Sequence, residues 1–66
     1  MRTCRGEYWV RGQGAIKFDN GLFHQWGCSY DEFQSGPGNY TVAIVELPDG
    51  TVVEVLPTAL VFTEGL

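Results

Sequence analysis

The sequence predicts an all-β domain of about five antiparallel strands, and three observations carry that expectation. The segment from Asn39 to Phe62 holds two apolar stretches joined at Leu47-Pro48-Asp49-Gly50-Thr51. There Pro48 and Asp49 suit the centre of a type I turn, and Gly50 suits the left-handed residue that closes a three-residue hairpin with a bulge. Residues 7–18 alternate, with Tyr8, Val10, Gly12, Gly14, Ile16 and Phe18 on one face and Trp9, Arg11, Gln13, Ala15 and Lys17 on the other. Asn20-Gly21 follows, a pair that favours the two positive φ angles of a tight hairpin turn. At 66 residues the chain holds one domain, 1–66, whose core must absorb most of the apolar residues. Little is left to line a deep active-site cavity, so a binding surface is the better expectation.

Taken in order, residues 1–6 are expected to fray. Residues 7–18 form a strand weakened at Gly12 and Gly14, where a sharp bend or bulge is expected. A two-residue loop at Asn20-Gly21 then sets Phe18 opposite Phe23, Lys17 opposite His24, Ile16 opposite Gln25 and Ala15 opposite Trp26. Phe18, Phe23 and Ile16 would face the core, with Lys17, His24 and Trp26 across the sheet. Residues 27–39 read as a long irregular loop, because Ser35-Gly36-Pro37-Gly38-Asn39 is turn chemistry throughout. Within it Ser29-Tyr30-Asp31-Glu32 has capping-box spacing, enough for one helical turn at most.

In the closing hairpin the loop pairs Leu47 with Thr51, Val45 with Val53 and Ala43 with Val55. The other face pairs Glu46 with Val52, Ile44 with Glu54 and Val42 with Leu56. Both faces are largely apolar, which a sheet with one wet side would not need and a small closed or half-closed barrel would. After Pro57 a short turn feeds a last strand at residues 60–62.

The net charge is −4, but Arg2, Arg5, Arg11 and Lys17 all precede Asp19, and from Asp19 onward there are seven acids and no base. A basic edge and a broad acidic face follow. Such a chain disfavours general binding to phosphate backbones and suits a basic protein surface, unless the carboxylates serve only solubility. The two cysteines, Cys4 and Cys28, come without an apolar leader, so reduced thiols and a cytoplasmic location are expected. No stretch approaches the roughly 18 apolar residues of a membrane span.

Reactive constellations are weak. Cys4, His24 and Cys28 lack the paired spacing of a zinc site, and four residues of strand separate His24 from Cys28 by about 13 Å. A Cys28 nucleophile with His24 and Asp31 has no sequence signal for convergence. Asp31 and Glu32 diverge on an extended chain, and no helix follows Gly12 and Gly14 to hold phosphate. The expectation is a non-enzymatic protein with no catalytic residues, no metal and no cofactor.

The layout of bent first hairpin, long loop, tight hairpin, proline-led turn and brief closing strand over residues 57–62 resembles the SH3-like small barrels. The Ala-Leu-Tyr-like motif and Trp pair of peptide-binding SH3 domains are absent, so polyproline recognition is not carried over. Three further segments are similar to small proteins encoded by bacteriophages and prophages: Phe23-His24-Gln25-Trp26-Gly27, Gly38-Asn39-Tyr40-Thr41-Val42-Ala43-Ile44-Val45-Glu46, and Asp49-Gly50-Thr51-Val52 with Pro57 and Phe62. That resemblance implies a phage accessory protein in the host cytoplasm and no particular activity.

Aromatic content gives the functional lead. Tyr8, Trp9, Trp26, Tyr30, Phe33 and Tyr40 exceed what a core already holding Phe18, Phe23 and Phe62 can bury, and Tyr and Trp beside acids suit protein-binding surfaces. The expected surface comprises Trp9, His24, Trp26, Tyr30, Asp31, Glu32 and Phe33, with Asp31 and Glu32 meeting basic residues of a protein partner. One version is an inhibitor that occupies a nucleic-acid groove on a host enzyme. Two alternatives are a structural subunit that self-associates through strand edges, although a monomer is preferred, and a weak nucleic-acid binder using Arg5, Arg11, Lys17 and Trp9.

Overall fold

The computed structural model describes residues 1–33 and 36–64, with the backbone alone at residues 31–33, 36 and 37. Five antiparallel strands form one sheet: β1 Arg2–Val10, β2 Gly14–Phe33, β3 Gly36–Glu46, β4 Val52–Val55 and β5 Leu60–Phe62. Their spatial order is β4-β3-β2-β1-β5, and a 3-10 turn at Pro57–Ala59 precedes β5. The all-β class, the strand number and the proline-led turn agree with the sequence.

The β3–β4 hairpin forms as its residues dictate. Gly50 has φ 91° and donates its N–H to the Leu47 carbonyl at 2.9 Å, and the Leu47 N–H reaches the Thr51 carbonyl at 2.7 Å. The Asp49 carboxylate accepts the Thr51 N–H at 2.9 Å. With that loop set, Glu46 pairs with Val52, Val45 with Val53, Ile44 with Glu54 and Ala43 with Val55, the predicted register. Consecutive residues Val42 and Ala43 point to opposite faces and both are buried, so β3 is enclosed on both sides.

The first hairpin turns earlier than predicted. Residues 7–18 are not one bent strand, because the chain reverses at residues 11–13, where the Gln13 N–H donates to the Val10 carbonyl at 3.0 Å. Gly12 at φ 86° and Gly14 at φ 85° supply the left-handed residues. With positive φ at Gly12 and not at Arg11, this is type II geometry, which requires glycine at its third position. Lys17 therefore faces Glu7 rather than His24.

Asn20-Gly21 is a bulge inside β2, not a turn. Between the pairs Cys4–Gly21 and Gly6–Phe18, β2 has two residues, Asp19 and Asn20, against Arg5 alone in β1. Asn20 takes the positive φ, 56°, but Gly21 does not, so the two-residue turn is not made. Gly21 serves packing instead. A Cβ there would stand 2.7 Å from Phe18 and 2.8 Å from Val45.

The chain start is not frayed. Arg2, Thr3 and Cys4 pair with β2, and Cys4, Arg5 and Gly6 pair with β5. Cys4 is completely buried with Ala43, Val45 and Val55, and Tyr8, Phe18, Phe23, Val53, Leu60 and Phe62 pack around them. The pairing on both sides, together with the buried apolar Cys4 side chain, holds this segment down.

Residues 27–39 are not an irregular loop. They extend the β2–β3 ladder from Gly27–Val42 to Phe33–Gly36, beyond the reach of β1 and β4. The resulting ribbon accounts for a molecule 40 Å long and only 23 by 19 Å across. Ser29 and Tyr30 are strand residues, so the capping-box spacing makes no helical turn there. Hairpin pairing of the two halves of this segment with each other overrides its turn-forming residues. Ser35 lies outside the described residues.

Candidate functional site

β1 and β4 approach each other without forming a ladder, and the gap between them is an open apolar cleft of about 1030 Å³. Its walls include Trp9 and Val10 of β1, Val53 of β4, and Leu56 and Ala59 beyond it, with Glu7, Glu54 and Arg11 as its charged groups. Trp9 pairs with Ala15 near the hairpin end and projects with 76% of its surface exposed. Leu56, where the chain leaves β4 for the 3-10 turn, is 50% exposed.

The residues expected to form one surface separate into four places. Trp9 stands at the cleft. Trp26 joins an aromatic cluster, edge-on to Phe23 at 5.1 Å and to Phe62 at 6.3 Å, while Phe23 and Phe62 meet at 5.2 Å. Its expected position across the sheet from Phe23 is wrong, because a bulge between Phe23 and Gln25 shifts the alternation by one residue. The cluster is capped by the Arg2 guanidinium, 3.5 Å from the Phe62 ring centre, and Arg2 also pairs with Glu64.

His24 sits at that bulge, its Nε2 2.9 Å from a Glu46 carboxylate oxygen. Both side chains are more than one-third exposed, and such a pair contributes little to stability. Tyr30 is exposed on the ribbon. Asp31, Glu32 and Phe33 pair through their backbones with Gly38, Pro37 and Gly36, and their side chains lie outside the described residues.

The expected basic edge is diluted. Arg5 and Lys17 border a shallow depression that Glu7 shares, Arg2 is engaged by Glu64 and Phe62, and Arg11 lies in the hairpin turn. Cys4 and Cys28 are free thiols in different settings, one in the core and one exposed. Sequence reasoning nominated Trp9 but missed Val53, Leu56 and Glu54 beside it. Leu56, an exposed apolar residue just before Pro57, was the available signal.

Searches against protein-family models, curated proteins and solved structures found no match.

Proposed function

We propose that this protein is a non-enzymatic protein-binding module that receives a partner segment at the β1–β4 cleft. The observation that carries this reading is Trp9, a large ring held on a strand yet 76% exposed beside an apolar cleft. A rigid indole on a fixed scaffold loses little freedom on binding and offers a large contact area. Glu7 and Glu54 at the cleft, on a chain of net charge −4, favour an apolar segment flanked by lysine or arginine. The strand order, with its 3-10 turn before β5, supports an SH3-like small barrel as the scaffold. The phage resemblance adds that the partner is a host protein. Dispersal of the cations among Glu7, Glu64 and Phe62 weighs against a nucleic-acid surface.

Affinity capture tests the reading. Wild type should enrich a partner that Trp9→Ala loses and Trp26→Ala retains. Retention by Trp9→Ala, with loss on Trp26→Ala, would place binding at the aromatic cluster and overturn the cleft assignment.

A further inference from the structure

We infer that the partner segment enters as an added β-strand along the outer edge of β4, with a basic residue opposite Glu54. This rests on the cleft reading and specifies how the cleft is filled. Among the described residues β4 pairs only with β3, so one side of its backbone has no strand laddered to it, although β1 lies nearby across the cleft. The Leu47–Thr51 hydrogen bond fixes which groups are free. In an antiparallel ladder bonded and non-bonded pairs alternate, so Val45–Val53 and Ala43–Val55 are bonded pairs. Glu46–Val52 and Ile44–Glu54 are therefore the non-bonded ones, and the N–H and C=O groups of Val52 and Glu54 point away from β3. Among the described residues, no ladder other than that with β3 involves β4.

The register then dictates the incoming sequence. A residue bonded to Glu54 stands directly opposite it and sends its side chain to the same face, where lysine or arginine complements the carboxylate, whose Oε1 also accepts the Ser29 hydroxyl at 3.3 Å. Its neighbours point to the face of Val53 and Val55, which belongs to the core, and Val53 also lines the cleft. An alternating basic–apolar segment fits both faces. A second copy fits poorly, since it brings a net charge of −4 and its own Glu54 to the same edge.

The probe is the peptide acetyl-Lys-Val-Lys-Val-Lys-Val-amide, followed by amide hydrogen exchange and chemical shifts. Binding should slow exchange at Val52 and Glu54 and shift the Trp9 indole, and a glutamate–valine analogue should not bind. N-methylation of the lysines, whose N–H groups face β4, should weaken binding by about tenfold per bond lost, and N-methylation of the valines should cost far less. On the protein, Val52→Pro removes an outward N–H at the first position of an edge strand, where proline is tolerated, and should weaken binding while Val52→Thr retains it.

If the peptide shifts Trp9 but the two N-methylated forms lose equally, or Val52 and Glu54 gain no protection, strand addition is wrong and the cleft reading survives. If it shifts neither Trp9 nor β4, or does not bind, the inference fails, and retained partner capture by Trp9→Ala would show that the cleft reading fails as well. Self-association of the free protein, with protection of the same amides, would assign the edge to a second copy and overturn the inference.

Discussion

A Cβ atom on Gly6 would stand 2.0 Å from the carbonyl oxygen of Ala59. Gly6 pairs with Phe18 on one side and Leu60 on the other, so it lies where β5 and the 3-10 turn press against β1. Backbone, not a movable side chain, occupies the space. Gly6→Ala must therefore push β5 away, and we expect a loss of about 3 kcal/mol in urea unfolding, the upper end for overpacking. Gly21→Ala meets the side chains of Phe18 and Val45, which have some freedom to turn, and should cost about 1 to 2 kcal/mol. Equal effects would contradict this difference between the two contacts.

Acid should loosen the β3–β4 turn. The Thr51 backbone N–H, joined by the Thr51 side chain, holds the Asp49 carboxyl below its ordinary value of 3.8. A lowered carboxyl stabilises the folded state above the unfolded value and loses that contribution as pH falls through the folded one. Asp49→Asn, whose amide oxygen still accepts the Thr51 N–H, should flatten the acid limb of the stability profile between about pH 5 and pH 2. An unchanged acid limb in thermal melts across that range would show that the carboxylate bond contributes nothing.

The two thiols should react at very different rates. Cys28 is exposed, whereas Cys4 is sealed in the core and burial pushes its thiol above the ordinary value of 9.0. A thiol-specific chromogenic reagent at neutral pH should label Cys28 promptly in the native protein and Cys4 only on unfolding. Because the buried thiol resists ionisation, its contribution to stability is present below pH 9.0 and lost as pH rises through the higher folded value. Rapid labelling of both would mean that the chain start opens readily.

Trp9 and Trp26 should differ in their effects on stability. Trp26 packs against Phe23 and Phe62, so Trp26→Ala should destabilise by about 2 kcal/mol, reduced from a full core truncation by its 49% exposure. Trp9→Ala should change stability by less than about 0.5 kcal/mol, as expected of an exposed surface position. Calorimetric melts of the two variants check this, and a large loss for Trp9→Ala would make it a packing residue.

The closing hairpin was legible because one short loop dictates it. Pro48, Asp49 and Gly50 each have one favoured place in a three-residue turn, and the register of β4 follows without reference to the rest of the chain. The first hairpin was not, because Gly12, Gly14, Asn20 and Gly21 all permit positive φ, and local preference cannot tell a turn from a bulge. Contacts from far along the chain decide between them: Val45 against Gly21, and Ala59 against Gly6. The bulge at His24 carries no glycine signal at all, yet it moves Trp26 to the face of Phe23 and so disperses the expected surface. Trp9 was legible as exposed because its strand alternates cleanly, whereas the cleft beside it depends on how a curled sheet brings β1 to β4.

Hydrogen-exchange mass spectrometry on the complex with the captured partner tests the central claim most directly. The cleft account predicts new protection in residues 7–11 and 51–56, with residues 22–30 and 60–62 unchanged. Protection confined to those latter segments, with residues 7–11 and 51–56 exchanging as in the free protein, would contradict it.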